Sequence, residues 1–218
     1  MRASATRQYY KCYLTLHLKV THIRSIGRRF RGPRPHSPGL PVKITLDHHC
    51  IFHLANGTET GSRVERLVSG KGSQCFIVNI ASAEMRQRGV RPEHYETFVE
   101  LLAAAHVGHL PRLDPMLVVD ATFWGKCVGA DAGMARLSQD IGKALFGEAP
   151  GLDMPADGID SPAGRRWLNR HCDVQALWCH VRNANDAYLT TDAGLRGEPV
   201  ARRLAALGVG RICLPGEL

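Results

Sequence analysis

The segment V42-K-I-T-L-D-H-H-C-I-F-H53 decides how the rest of the chain is read. Its first five residues are mostly apolar and β-branched, which suits a strand. The run stops on Asp47, and His48, His49, Cys50 and His53 follow at once. Two chemistries compete. The histidines and cysteine could write a zinc site, or the strand could carry one carboxylate to the rim of a sheet where other carboxylates gather round a different metal. At the end of a strand His48 and His49 point to opposite faces. If the chain turns helical instead, His49 and His53 lie four apart and can share an ion, but a structural zinc takes four ligands. The pairs His171–Cys172 and Cys179–His180 stand too far apart for one tetrahedral ion, roughly 10–13 Å along a helix. Zinc is not expected. The segment reads as a strand delivering Asp47, with His48 or His49 left to touch substrate or the groups around the metal.

Working outward, the pattern alternates. Strands are expected at V42-K-I-T-L46, Q74-C-F-I-V-N-I80, M116-L-V-V119, A187-Y-L-T-T191 and R211-I-C-L214. Helices are expected from Glu59 to Val68 with Gly70 closing, from Ala81 to Arg88 with Gly89 closing, and from Glu93 to His106 with Pro92 at the first turn. Further helices run from Ala132 to Phe146, over R165-R-W-L-N-R170 behind Ser161 and Pro162, over D173-V-Q-A-L-W-C-H-V-R182, and over V200-A-R-R-L-A-A206. Such βα alternation predicts an α/β domain with a mostly parallel sheet and helices on both faces. S69-G-K-G-S73 lacks phosphate-loop spacing and precedes a strand, so it reads as a turn.

Residues 1–46 hold ten Lys and Arg and no acid, whereas the other 172 hold 18 basic and 20 acidic side chains. The net charge of +8 thus belongs to the N-terminal arm. Residues 1–41, with the alternating Leu14, Leu16, Leu18, Val20 and the Pro/Arg-rich R28-R-F-R-G-P-R-P-H-S-P-G-L-P41, read as a basic, flexible extension before a domain spanning 42–218. The 7 cysteines, with no CxxC, argue against a disulfide framework or zinc ribbon and for buried thiols in a reducing cytoplasm. No run of about 18 apolar residues occurs, so no membrane association is expected.

In a parallel sheet, ligands sit beyond the carboxyl ends of the strands. Asp47, Glu84, Asp173 and Asp192 stand at element junctions that can converge there. Bare carboxylates at close range raise each other's pKa, and a hard divalent ion relieves this. Asp186, placed before a strand, reads as a turn residue. Arg165, Arg166, Arg170 and Arg182 flank Asp173 and could meet phosphates.

D173-V-Q-A-L-W-C-H-V-R-N-A-N-D-A-Y-L-T-T-D192 resembles the C-terminal signature of PIN-domain nucleases: an Asp at a helix start, an apolar helix, then a strand ending in Thr-x-Asp. The strand ending at Asp47 resembles the family's first motif, and F76-I-V-N-I-A-S-A-E84 its second. The similarity covers roughly 42–214; the segment 147–172 and the basic arm are additions. The resemblance implies a three-layer α/β/α sandwich and Mg²⁺- or Mn²⁺-dependent hydrolysis of RNA phosphodiesters. Asp47, Glu84, Asp173 and Asp192 would be the catalytic metal ligands, and Thr190 would position a carboxylate or water. Many small relatives are toxins, so an RNA substrate, an antitoxin-like inhibitor protein and a homodimer are the partners it implies. The alternative is a non-catalytic RNA- or protein-binding module on the same fold. A magnesium phosphatase is weaker, because Asp47-His48-His49 stands where Asp-x-Asp would be needed.

Overall fold

The computed structural model describes residues 40–85 and 95–218. The expected strand over Leu14–Val20, the extension up to residue 39, and the expected Pro92 helix start and Arg86–Gly89 helix end lie outside them.

Five strands form one parallel sheet: β1 (Val42–Leu46), β2 (Ser73–Val78), β3 (Arg112–Leu113), β4 (Ala187–Leu189) and β5 (Arg211–Cys213), in spatial order β3-β2-β1-β4-β5. The chain winds outward from β1 in both directions, so the order reverses between β1 and β4. The crevice at such a switch, beyond the carboxyl ends, is where open α/β sheets bind ligands. Leu46 pairs with Ile77 on one side and Leu189 on the other. Asp47 N–H then donates to the Leu189 carbonyl (3.0 Å), which carries the ladder one residue past the strand end.

The helices are α1 (His48–Ala55), α2 (Glu59–Ser69), α3 (Ala81–Glu84), α4 (Tyr95–Ala104), α5 (Ala132–Phe146), α6 (Pro162–Arg182), α7 (Ala193–Arg196) and α8 (Glu198–Ala206). Side chains alternate across each strand, and they fill two cores accordingly. Ile44, Leu46, Cys75, Ile77 and Leu189 pack with Ile51, Val64, Phe98 and Leu102 of α1, α2 and α4. Phe76, Val78, Tyr188 and Ile212 pack with Leu137 and Ile141 of α5, Leu177 and Trp178 of α6, and Leu204 of α8. The sheet is therefore covered on both faces, which is why its strands read as near-continuous apolar runs.

Two expectations are corrected. Met116–Val119 is not a strand; the third strand is Arg112–Leu113, and Met116 forms only an isolated bridge with Val128. The backbone there is already engaged: Met116 N–H donates to Gln175 Oε1 (3.0 Å), and Val118 N–H donates to Thr122 Oγ1 (3.2 Å). The expected helices at Arg165–Arg170 and Asp173–Arg182 are one helix, α6, capped by Ser161, whose hydroxyl accepts from Gly164 N–H (2.9 Å). No Gly or Pro interrupts Arg165–Arg182, and buried Trp167, Leu168, Cys172, Leu177, Trp178 and Val181 keep one helical period. The loop before α6 is tied to it, since Trp167 Nε1 donates to the Gly151 carbonyl (2.7 Å).

Beneath α6 lies a polar group within the core. Asn185 Nδ2 donates to Thr45 Oγ1 (2.7 Å), and the same hydroxyl is hydrogen-bonded to His180 Nδ1 (2.9 Å). His180 is wholly buried, edge-on to Tyr188. Burial lowers its pKa from 6.5 to about 4, against a weak opposing pull from Asp186. A folded pKa below the unfolded one means stability is full above pH 6.5 and is lost as the pH falls through 4. The loss should reach about 3 kcal/mol at the acid end. Urea unfolding at several pH values should show wild type losing more between pH 7 and 4 than His180→Gln; parallel pH curves would contradict the assignment.

Candidate functional site at the carboxyl edge

Each expected acid has a definite place at or beside the carboxyl edge. Asp47 follows β1 and also caps α1, for the chain turns helical at once: its Oδ1 accepts from His48 N–H (2.7 Å). Glu84 is the last residue of α3, after β2, rather than the residue opening that helix. Asp173 lies in the middle of α6, not at a helix start and not at a cap. Asp192 follows β4, which ends at Leu189, and caps α7 by accepting from Gly194 N–H (2.7 Å). Asp186 is at the opposite edge, where Oδ2 accepts from Lys43 N–H (2.8 Å).

Asp47 is only 5% exposed and is the most heavily bonded of the four. Thr190 Oγ1 donates to its Oδ2 (2.6 Å), and that hydroxyl in turn accepts from Asp192 N–H (3.0 Å). His49 Nδ1 also meets Oδ2 (3.0 Å). His48 Nδ1 lies 3.0 Å from Asp47 Oδ1 and 2.7 Å from Glu84 Oε2, so one imidazole bridges two carboxylates. The expectation that His48 and His49 face opposite ways is corrected. On the first turn of α1, rather than on a strand, both rings turn back to Asp47, with centroids 3.8 Å apart. His53 is elsewhere, its Nδ1 on Thr58 Oγ1 (2.9 Å).

Electrostatics separate the acids. Burial alone would raise the Asp47 carboxyl, but hydrogen bonds from His48, His49 and Thr190 hold it well below the usual carboxylate range. Burial also disfavours a charged His48, yet Asp47 and Glu84 raise its pKa to about 10. Burial raises Glu84, against the bond from His48. Asp173 is pushed up to about 8 by burial and then by the charges of Glu84, Asp47 and Asp192. That repulsion places Asp173 within electrostatic reach of the other three acids.

Among the described residues, the group whose ligand atoms all lie within 4.8 Å of one another is Asp47, His48 and His49. It contains one carboxylate and two imidazoles rather than four carboxylates. Glu84 joins through His48, Asp192 through Thr190, and Asp173 through charge alone. The donor set fits a divalent ion: an ionised carboxylate, two ring nitrogens and further acids at the rim. The sequence leaves His48 or His49 to touch the groups around the metal, but it does not show the bridge that His48 makes from Asp47 to Glu84. The signal was present, because Asp followed by a helix-compatible octet is an N-cap pattern that brings the next residues back over the cap.

The surroundings are also defined. Asn79, just past β2, donates from Nδ2 to Asp114 Oδ1 (2.6 Å) and accepts from the Tyr95 hydroxyl, which ties the edge to the loop leaving β3. That loop carries Leu117, Val119 and Trp124 on its surface, Trp124 being 73% exposed. Of the flanking arginines, Arg165 and Arg166 face solvent, Arg170 pairs with Glu148 (3.1 Å), and Arg182 lies over the Trp178 ring.

No family model, no curated protein and no solved structure matches this chain. Among the described residues, no helix is long and apolar enough to cross a membrane.

Proposed function

We propose that the chain is a divalent-metal-dependent ribonuclease of PIN type, with the carboxyl edge of β1 and β4 as its active site. One observation supports the reading: at the switch of a parallel sheet buried Asp47 meets His48, His49 and Thr190, His48 bridges it to Glu84, and Asp173 feels the charges of Asp47, Glu84 and Asp192. Asp47, Glu84, Asp173 and Asp192 are its metal-site acids. An Mg²⁺ or Mn²⁺ ion held there would lower the pKa of a water and neutralise charge on the scissile phosphodiester.

The chain's own residues do the rest. Thr190 holds Asp47 in one rotamer by its hydroxyl and orders the start of α7. His48 holds Glu84 against Asp47. Asp173, its pKa raised by burial and by the charges of Glu84, Asp47 and Asp192, is an acid whose ionised form a bound cation would favour. Trp124 offers a face on which an unpaired base can stack, and Arg165 and Arg166 can meet phosphates. The basic arm adds non-specific affinity for RNA. An antitoxin-like inhibitor protein and a homodimer belong to the same reading.

The test is incubation of the full chain with a mixed RNA pool in Mg²⁺, Mn²⁺ or EDTA. Cleavage with metal and none with EDTA is expected; cleavage undiminished by EDTA would sink the reading. The bridging of Asp47 and Glu84 by His48 also favours a second reading, a non-catalytic RNA- or protein-binding module whose site is neutralised internally. RNA retention without cleavage in any metal, with no Mn²⁺ uptake at millimolar concentration, would select it.

A further inference from the structure

We propose that His48 and His49 are themselves metal ligands, so that the centre is a mixed imidazole–carboxylate site built on Asp47 and selects a divalent transition-metal ion over Mg²⁺. This rests on the reading of the carboxyl edge as a metal site.

Two ring nitrogens, His48 Nδ1 and His49 Nδ1, converge on the two oxygens of one buried carboxylate, each at 3.0 Å. The third donor, Glu84 Oε2, lies 2.7 Å from His48 Nδ1. Neighbouring ligands of an octahedral ion with bonds of about 2.1 Å stand about 3 Å apart. The same spacing also serves hydrogen bonds, so distance alone does not select a ligand set. Convergence does. His48 has one Nδ1 and faces two carboxylates, while the His49 ring lies in contact with it, centroids 3.8 Å apart. One divalent ion in place of the hydrogens the two rings direct at Asp47 satisfies both nitrogens and the Asp47 carboxylate together, with Glu84 beside it at His48.

The donors then set the metal. Mg²⁺ takes oxygen ligands and keeps its waters, whereas imidazole nitrogen suits the later first-row ions. With two nitrogens beside carboxylate oxygens, Mn²⁺ binds better than Mg²⁺, and Fe²⁺ or Co²⁺ better than either. The position of the rings makes the exchange feasible: both are on the first turn of α1, held by the Asp47 cap, and the His49 side chain is 43% exposed at the mouth of the site. A four-ligand structural zinc is not implied, because among the described residues no cysteine sulfur belongs to the group.

The experiment uses the full chain, loaded with MgCl₂, MnCl₂ or CoCl₂ in separate calorimetric titrations. Pulsed electron paramagnetic resonance of the Mn²⁺ form serves as the ligand readout. The expected result is Mn²⁺ and Co²⁺ affinity at least about tenfold above that for Mg²⁺, with nitrogen coupling to the bound Mn²⁺. His49→Gln, which leaves the Asp47 cap in place, should weaken Mn²⁺ and Co²⁺ by at least roughly 10–100-fold, the loss already seen for groups that only orient a metal ligand. The double variant His48→Gln/His49→Gln should lose the nitrogen coupling altogether. Equal affinity for Mg²⁺ and Mn²⁺ with no nitrogen coupling overturns the proposal and leaves the hydrolase reading standing. No uptake of any of the three ions overturns both.

Discussion

Asp47→Asn should reduce metal-dependent RNA cleavage by roughly a thousandfold while leaving a folded protein. Asp47 is the one carboxylate on which both imidazoles, the Thr190 hydroxyl and the α1 N-terminus converge. On the proposed reading, its charge would let a cation replace the hydrogens directed at it. Asn caps a helix about as well as Asp, so α1 should persist. With Oδ1 kept as the cap, the amide nitrogen, however, takes the place of Oδ2, which now meets both His49 Nδ1 and the Thr190 hydroxyl. One donor is left opposed, at a stability cost of about 1–3 kcal/mol. Single-turnover cleavage rates, circular dichroism and calorimetric Mn²⁺ titration on the same preparation separate these effects. Wild-type cleavage rates in Asp47→Asn would remove Asp47 from the chemistry.

The largest effect on stability is expected at Trp178. The side chain is wholly buried on α6, its Nε1 donates to the Met134 carbonyl at the start of α5 (3.2 Å), and the Arg182 guanidinium lies 5.1 Å from the ring centre. Trp178→Ala removes the ring from between two helices and the sheet, and leaves the Met134 carbonyl without that donor. The expected cost is about 4 kcal/mol, read as a fall in the urea midpoint. Trp178→Phe keeps most of the volume and loses the hydrogen bond, so it should cost about 1–2 kcal/mol. A Trp178→Ala cost below about 1 kcal/mol would show that α5 and α6 close over the gap and that Trp178 is not their anchor. The variant also bears on the site. Asp173 is five residues earlier on the same helix, so a loosened α6 should blunt catalysis in molecules that remain folded.

These two positions show how the fold and the chemistry depend on each other. Asp173 is held in a partly buried, repulsive setting by a helix whose rigidity comes from Trp167, Leu177 and Trp178. Asp47 is held ionised by donors that α1 and β4 supply. Two carboxyls at one edge are thereby pushed in opposite directions, a separation that a cation shared between them would narrow.

Much of the scaffold was legible. The strand to Leu46, the Glu59 and Ala132 helices and the Ser161–Pro162 cap follow from short-range rules: β-branched runs, helical periodicity and capping chemistry act within a few residues. The errors have the same root. Met116–Val119 has strand composition, but Gln175, 59 positions away, takes the Met116 N–H. Asp173 looked like a helix start because Asp caps helices, yet Trp167, Leu168 and Cys172 upstream share the buried face of Leu177 and Trp178 and pull both halves into one helix. The turn of His48 and His49 onto Asp47 was missed because strand geometry was carried one residue too far.

By itself the sequence determined an α/β chain whose β1 ends on an acid, with three more acids and a Thr-x-Asp ending downstream, because backbone preference and apolar periodicity are local. Only the tertiary structure decided which groups meet: that His48 spans Asp47 and Glu84, that Thr190 braces Asp47 across the β1–β4 switch, and that Asp173 enters the same field from the middle of α6. Those meetings join residues up to 143 positions apart. They are fixed by strand order, register and the packing of α6 on the sheet, none of which a stretch of neighbouring residues can encode.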